Sequence, residues 1–258
     1  MFCGIELAAR IERAEARLIA GAARGGFVSP VAGGVACFAR PGSPYNKVAG
    51  LGFDGLPDLE PVERAFAQRG APVQVEVAHL GDPALSGLLI DRGYRLEGFE
   101  NVLGRELRDV PEQVGGIEIR RDDDLDAWLD VVVDATLVAD EQGVPSHEEF
   151  PRETLVTALR DFFSRGEALR YSAWLDGEPA GGASFRIDDG IAQMTGAATA
   201  PAKRRRGVQT ALFAARLKDA AEAGCDVAVV TTQPASKSHE NAQRQGFELL
   251  YTRAVWVS

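Results

Sequence analysis

The chain has 258 residues, room for one large or two modest domains, and 45% of them are apolar, enough to fill a core. Its 38 acidic against 28 basic side chains leave a net charge of −10, which argues against general nucleic-acid binding. No stretch nears the ~18 consecutive apolar residues of a membrane span.

The first residues, MFCGIELAARIERAEAR, mix both charges where a secretory leader would be continuously apolar. The three cysteines, Cys3, Cys37 and Cys225, are far apart, odd in number and set among apolar neighbours. The expectation is a cytoplasmic chain with buried thiols and no metal site. Ile5, Ala8, Ala9, Glu12, Ala16 and Ile19 form a mostly apolar stripe at helical spacing, which predicts a helix over 5–24. Strands follow at 33–39 (GGVACFA) and 46–53, separated by the turn Pro41-Gly-Ser-Pro44. Asp58 can cap a helix that carries Pro61 in its first turn and stops at Gly70. A strand at 73–77, a helix at 83–92, Gly93-Tyr94 and a strand-rich tail at 96–107 complete the first half. Pro111 and the pair Gly115-Gly116 lie between strand patterns. They predict a linker at 111–116 between domains at 1–110 and 117–258.

The second half opens with a strand at 117–120. Asp122, Asp123 and Asp124 then offer an N-cap and first-turn carboxylates to a helix with Leu125, Trp128, Leu129, Val132 and Val133 on one face. A polar loop, 139–149, precedes a helix over 151–164. A hairpin of 169–175 and 180–187 turns on Asp176-Gly177, and 191–199 is the next strand. Four cations, Lys203 to Arg206, then precede Gly207, which begins a helix that ends at Gly224. The first four N–H groups of a helix have no partner inside it, and the helix dipole places partial positive charge there. A basic turn at that point makes an anion site suited to phosphate. A strand at 227–232, a last helix, Gly246-Phe247 and a final strand close the chain. Both halves run helix, Gly, strand, helix, Gly-aromatic, strand. Gly70 and Gly93 are 23 residues apart, and Gly224 and Gly246 are 22 apart.

Pro201-x-x-Arg204-x-x-Gly207-x-Gln209-x-x-Leu212 resembles the acyl-CoA pyrophosphate loop of the GNAT superfamily of N-acetyltransferases, and Gly246-Phe247 resembles the pair that closes that family's second segment. Gln209 stands where the family has Gly or Ala. A longer side chain is tolerable there if it points away from the cofactor. The resemblance is strongest over 196–247, extends over 117–258, and implies an α/β (α+β) GNAT fold. In that fold a mixed, mostly antiparallel sheet is flanked by helices, and two central strands, here 191–199 and 227–232, splay to admit acetyl-CoA. The matching order of the first half implies a tandem arrangement. The first half's corresponding turn carries Asp54 and Asp58 and no cation, so it is expected not to bind CoA.

By resemblance, backbone groups of Ala197 and Thr199 pair with the pantetheine arm. N–H groups of Arg205, Arg206, Gly207, Val208, Gln209 and Thr210 surround the pyrophosphate, and Lys203 and Arg204 reach its oxygens. The Thr199 N–H becomes the oxyanion donor, and Asn241 contacts the arm. The proton-handling groups stay open. The strand 191–199 has no carboxylate where GNAT enzymes often place a Glu, and Ala242 stands where many have a Tyr. Ser238 reads first as an N-cap and His239 as a surface side chain or a general acid. Glu141, His147, Glu148 and Glu149 are loop residues that are solvated or face an acceptor. The expectation is acetyl transfer from acetyl-CoA to a small-molecule amine, by direct attack in a ternary complex. The acidic surface favours a cationic amine. A catalytically silent acetyl-CoA sensor and a scaffold are the alternatives. No nucleic acid or membrane partner is expected, and a homodimer is left open.

Overall fold

The computed structural model describes residues 1–23, 25–110, 115–121, 124–138, 144 and 149–258. In chain order the elements are α1 (Ile5–Ala22), β1 (Phe27–Val31), β2 (Gly34–Phe38), β3 (Lys47–Leu51), α2 (Glu60–Ala67), β4 (Gln74–Ala78), α3 (Ala84–Asp91) and β5 (Arg95–Glu106). They continue as β6 (Glu118–Arg121), α4 (Leu125–Leu137), α5 (Arg152–Phe163), β7 (Ala168–Leu175), β8 (Glu178–Asp188), β9 (Ile191–Thr199), α6 (Val208–Glu222), β10 (Val227–Thr232), α7 (Lys237–Arg244) and β11 (Glu248–Val257).

Two compact units emerge. The first comprises Phe2–Val102, Arg160–Ser164 and Leu249–Ser258; the second comprises Met1, Leu103–Leu159 and Arg165–Glu248. This division differs from a cut at 111–116. The last strand lies with the first unit, and β5 passes from one unit to the other within its length.

In the first unit the strand order is β1-β2-β3-β4-β11-β5. Pairs β1–β2, β2–β3 and β4–β11 are antiparallel, and β3–β4 is parallel. The strand β1, which the sequence analysis does not predict, carries Pro30. It forms at the sheet edge, where a missing N–H breaks no ladder. A tight turn with positive φ at Ala32 (40°) and Gly33 (79°) joins it to β2. One sheet face packs Val48, Leu51, Val75, Val77 and Trp256 against Val62 and Phe66 of α2 and Leu85 and Leu89 of α3. The other face receives Ala16 and Ile19 of α1 on Val35, Cys37 and Ala49.

In the second unit the order is β6-β7-β8-β9-β10, antiparallel as far as β9, with β9–β10 parallel. Asp176 (φ 57°) and Gly177 (φ 78°) make the β7–β8 turn. The N-cap of α4 is Asp124, whose carboxylate accepts the N–H groups of Asp126 and Ala127; Asp122 and Asp123 lie outside the described residues. Leu212, Phe213 and Leu217 of α6 pack with Phe185, Met194, Ala228 and Phe247 on one sheet face. On the other, Trp128 of α4 is buried and its indole N–H donates to Tyr171 O at 3.1 Å. No helix among the described residues is long and apolar enough to cross a membrane.

Candidate functional site

The strand β9 is an inner strand, yet its sequence Thr195-Gly196-Ala197 is only partly buried, and Gly196 and Ala197 are exposed. Two features open it. The parallel ladder with β10 runs through Ile191↔Val227, Ala192↔Ala228 and Gln193↔Val229 and stops there. On the β8 side the register shifts, with Gly182 opposite Ala198 but Ser184 opposite Thr195. One extra residue on β9 is a β-bulge. Gly196 sits in it at φ +49°, and a Cβ there would stand 3.1 Å from Ser184 Oγ and 3.4 Å from the Trp128 ring. Only glycine fits both the backbone and the space.

Beyond the bulge the Ala200 N–H donates to Ala180 O at 2.9 Å. Backbone groups alternate in direction along an antiparallel pair. The N–H and C=O of Ala197 and Thr199 therefore turn away from β8, on the side where β10 has parted. Thr231 of β10 is exposed on the opposite wall.

The turn after β9 is built on left-handed residues, Arg205 at φ 60° and Gly207 at φ 86°. Gly207 is the N-cap of α6 and supplies no side-chain cap. Among the described residues no acceptor is found for the backbone N–H groups of Arg205, Arg206, Gly207, Val208, Gln209 and Thr210, and the first bond of the helix is Ala211 N–H to Gly207 O at 3.0 Å. Six donors without partners at the start of a four-turn helix fit a phosphate group. Together with the parted strands they fit an extended chain that ends in phosphates, as CoA does.

The four cations are employed differently from one another. Lys203 pairs with Glu178 at 2.6 Å, and Arg206 with Asp176 at 3.0 Å. The Arg204 guanidinium donates to Ala135 O at 3.2 Å and to Val138 O, capping the end of α4. Its guanidinium, expected to reach phosphate oxygens, lies here on the last carbonyls of that helix. Arg205 makes no ion pair with a described residue. Gln209 does not project into solvent; its Nε2 donates to Thr199 Oγ1 at 2.8 Å.

On α7 the N-cap is Ser236, whose hydroxyl accepts the His239 N–H at 3.2 Å. This corrects the assignment of Ser238, which is exposed in the first turn. His239 Nδ1 lies 3.3 Å from Thr232 Oγ1 at the end of β10. Asn241 is half-buried and Ala242 fully buried. Glu141, His147 and Glu148 lie outside the described residues, and Glu149 is exposed. Among the described residues no group of three His, Cys, Asp or Glu side chains is placed to hold a metal.

The first unit repeats the scaffold and lacks the opening. Gly50 (φ 81°) marks a register shift in β3, but pairing with β4 resumes at Leu51↔Val77, and no residue of β3 or β4 is exposed. A Cβ at Gly50 would stand 3.0 Å from Ala16 Cβ of α1. In the turn that follows, Asp54 lies against Gly33, and Asp58 Oδ1 accepts the Glu60 N–H at 3.1 Å. Carboxylates stand at the turn where the second unit has cations and unpartnered N–H groups.

Residues 135–247 match the model of the acetyltransferase (GNAT) family. Over this segment the chain is similar to that family. Among solved structures, a GCN5-related N-acetyltransferase from Kribbella flavida is 20% identical, with 99% of this chain and 96% of that one covered and a TM-score of 0.72. A tandem GNAT protein from the clavulanic acid biosynthesis pathway is 14% identical over 84% of this chain and 75% of that one, with a TM-score of 0.57. A GCN5-related N-acetyltransferase from Sphaerobacter thermophilus is 17% identical over 73% and 59%, with a TM-score of 0.52. These likenesses concern the fold. No curated protein matches the chain.

Proposed function

We propose that the chain transfers an acetyl group from acetyl-CoA to the amine of a small molecule, by direct attack in a ternary complex. The observation that carries this reading is the row of unpartnered N–H groups from Arg205 to Thr210, set at the end of a strand that has parted from its neighbour. Acetyl-CoA supplies the activated acyl group as co-substrate. The loop N–H groups hold its pyrophosphate, and the freed backbone groups of Ala197 and Thr199 align its extended arm as an added strand would.

The remaining roles follow from charge. As the amine nitrogen bonds to the carbonyl carbon and the C–S bond breaks, negative charge grows on the carbonyl oxygen. The Thr199 N–H receives that charge, a contribution of about 2.7–4 kcal/mol where such donors have been removed. The departing sulfur takes a proton from His239, which stands in the first turn of α7 against the end of β10. The amine gives up its proton to water or to Glu141 or His147 of the 139–149 loop. The first unit binds no CoA in this reading, because its strands stay paired and its turn is acidic.

Calorimetric titration of acetyl-CoA into the full chain tests the reading, beside Gly207→Asp, which places a carboxylate among the donors. Saturable binding by the wild type and none by the variant is expected. Equal binding by both, or none by the wild type, defeats it. A second reading is favoured by the absence of a carboxylate on β9 and by the buried Ala242: an acetyl-CoA sensor without turnover. Thiol release across a panel of amines separates the two.

A further inference from the structure

Gln209 occupies a position where a small residue would suffice for backbone binding, and its side chain has a defined place. Its Nε2 donates to Thr199 Oγ1 at 2.8 Å, and Thr199 is 9% exposed. The next residue, Thr210, accepts a longer bond of 3.4 Å from Gln245 Nε2, and the Gln245 carbonyl accepts from the Arg105 guanidinium. The first turn of α6 is thus tied on one flank to the end of β9 and on the other to the end of α7. Both ties start from the two residues whose N–H groups close the row of unpartnered donors.

The tie to Thr199 matters because of what Thr199 presents. Its hydroxyl is held, so its N–H, turned away from β8, has a fixed direction relative to the loop donors ten residues on. We infer that Gln209 is a positioning residue: through the Thr199 hydroxyl it sets the Thr199 N–H to meet the thioester carbonyl of the same molecule whose phosphates the α6 donors hold. The inference rests on the acyl-transfer reading above and adds a specificity to it. Acetyl-CoA has a carbonyl oxygen for the Thr199 N–H, and free CoA has none. The tie therefore discriminates acylated from unacylated CoA and leaves the phosphate grip unchanged.

The test compares the dissociation constants of CoA and acetyl-CoA by calorimetry in the full-length wild type, Gln209→Ala, Thr199→Val, Thr199→Ser and the Gln209→Ala/Thr199→Val double variant. The wild type is expected to prefer acetyl-CoA about fivefold, the ~1 kcal/mol of one neutral hydrogen bond. In Gln209→Ala and in Thr199→Val the ratio of the two dissociation constants is expected to fall to about one. The double variant behaves as either single one, and Thr199→Ser, which retains the hydroxyl, keeps the preference. A Gln209→Ala protein that still prefers acetyl-CoA overturns the inference. So does one in which CoA and acetyl-CoA weaken together, since that marks a merely structural role. A wild type that binds both equally also overturns it. A wild type that binds neither instead defeats the acyl-transfer reading on which it stands.

Discussion

At the scale of single residues, the proton donor is the position with most at stake. Ala242 is buried and offers no proton, and the proposed reaction assigns the acid to His239 instead. His239 lies one turn earlier, and its Nδ1 stands beside Thr232 Oγ1, which leaves Nε2 as the other ring nitrogen for the substrate. Replacing His239 by Ala is expected to lower kcat about 100-fold, within the range for positioned acids. Thiol release with an amine acceptor measures it, and a kcat equal to that of the wild type would assign the proton to solvent. Residue identities on this helix were legible, but directions were not. Two serines two apart, Ser236 and Ser238, both suit an N-cap. The left-handed Ala235 (φ 59°) decides for Ser236 by turning the chain immediately before it. In the same way Gln209 reads as a departure from a pattern until its bond to Thr199 is seen.

At the scale of elements, periodicity carried most of the information. The β7–β8 turn follows from Asp-Gly and β10 from its β-branched run, whereas β1 is not predicted. The stripe of α1 placed Glu12 among apolar positions without a reason for it. The reason lies 241 residues away: Arg253 Nε donates to Glu12 Oε1 at 2.7 Å, and Tyr251 OH donates to the same oxygen at 2.6 Å. Around this pair the face beneath α1 gathers Glu15, Lys47 of β3, Glu76 of β4 and Glu100 of β5. Four carboxylates thus face two cations. Burial, with the Glu76 charge beside it, pushes the Glu100 carboxyl up to about 7, and burial pushes Glu15 up as well. Glu76 goes the other way: burial is outweighed there by Lys47 and Arg253, which hold it below the ordinary range. Between the ordinary carboxylate range and about 7 the folded chain binds a proton at Glu100 that the unfolded chain has released, so stability falls as pH rises through that window. The Glu76 contribution is lost only at more acid pH. The urea midpoint should therefore be higher at pH 5.5 than at 7.5, and Glu100→Gln should flatten the difference. A wild type with equal midpoints removes Glu100 from the account.

At the scale of the whole molecule, the repeated spacing of Gly70–Gly93 and Gly224–Gly246 made the duplication legible, and the left-handed Gly50 and Gly196 give it a structural counterpart. The path of the last strand was not legible, because strand order depends on pairings between residues far apart in the chain. Arg253↔Ala78 through Val257↔Gln74 join β11 to β4, so the first unit is completed by the last ten residues. Without them β4 loses a neighbour along its whole length, Trp256 leaves the core, and Glu12 loses the Arg253 guanidinium that pairs with it. Leaving one member of a buried pair alone costs about 3–5 kcal/mol, a large share of the roughly 5–15 kcal/mol by which a folded chain is stable. Deleting 249–258 is therefore expected to open the first unit. Limited trypsin digestion should cut within 2–102 of the deletion variant under conditions in which the wild type is intact there. Arg253→Met isolates the electrostatic part, since it keeps the strand and removes the charge, and its unfolding midpoint should lie below that of the wild type. If the deletion variant resists trypsin as well as the full chain does, residues 2–102 fold without the strand, and the Glu12–Arg253 pair contributes nothing that the rest of the unit does not already supply.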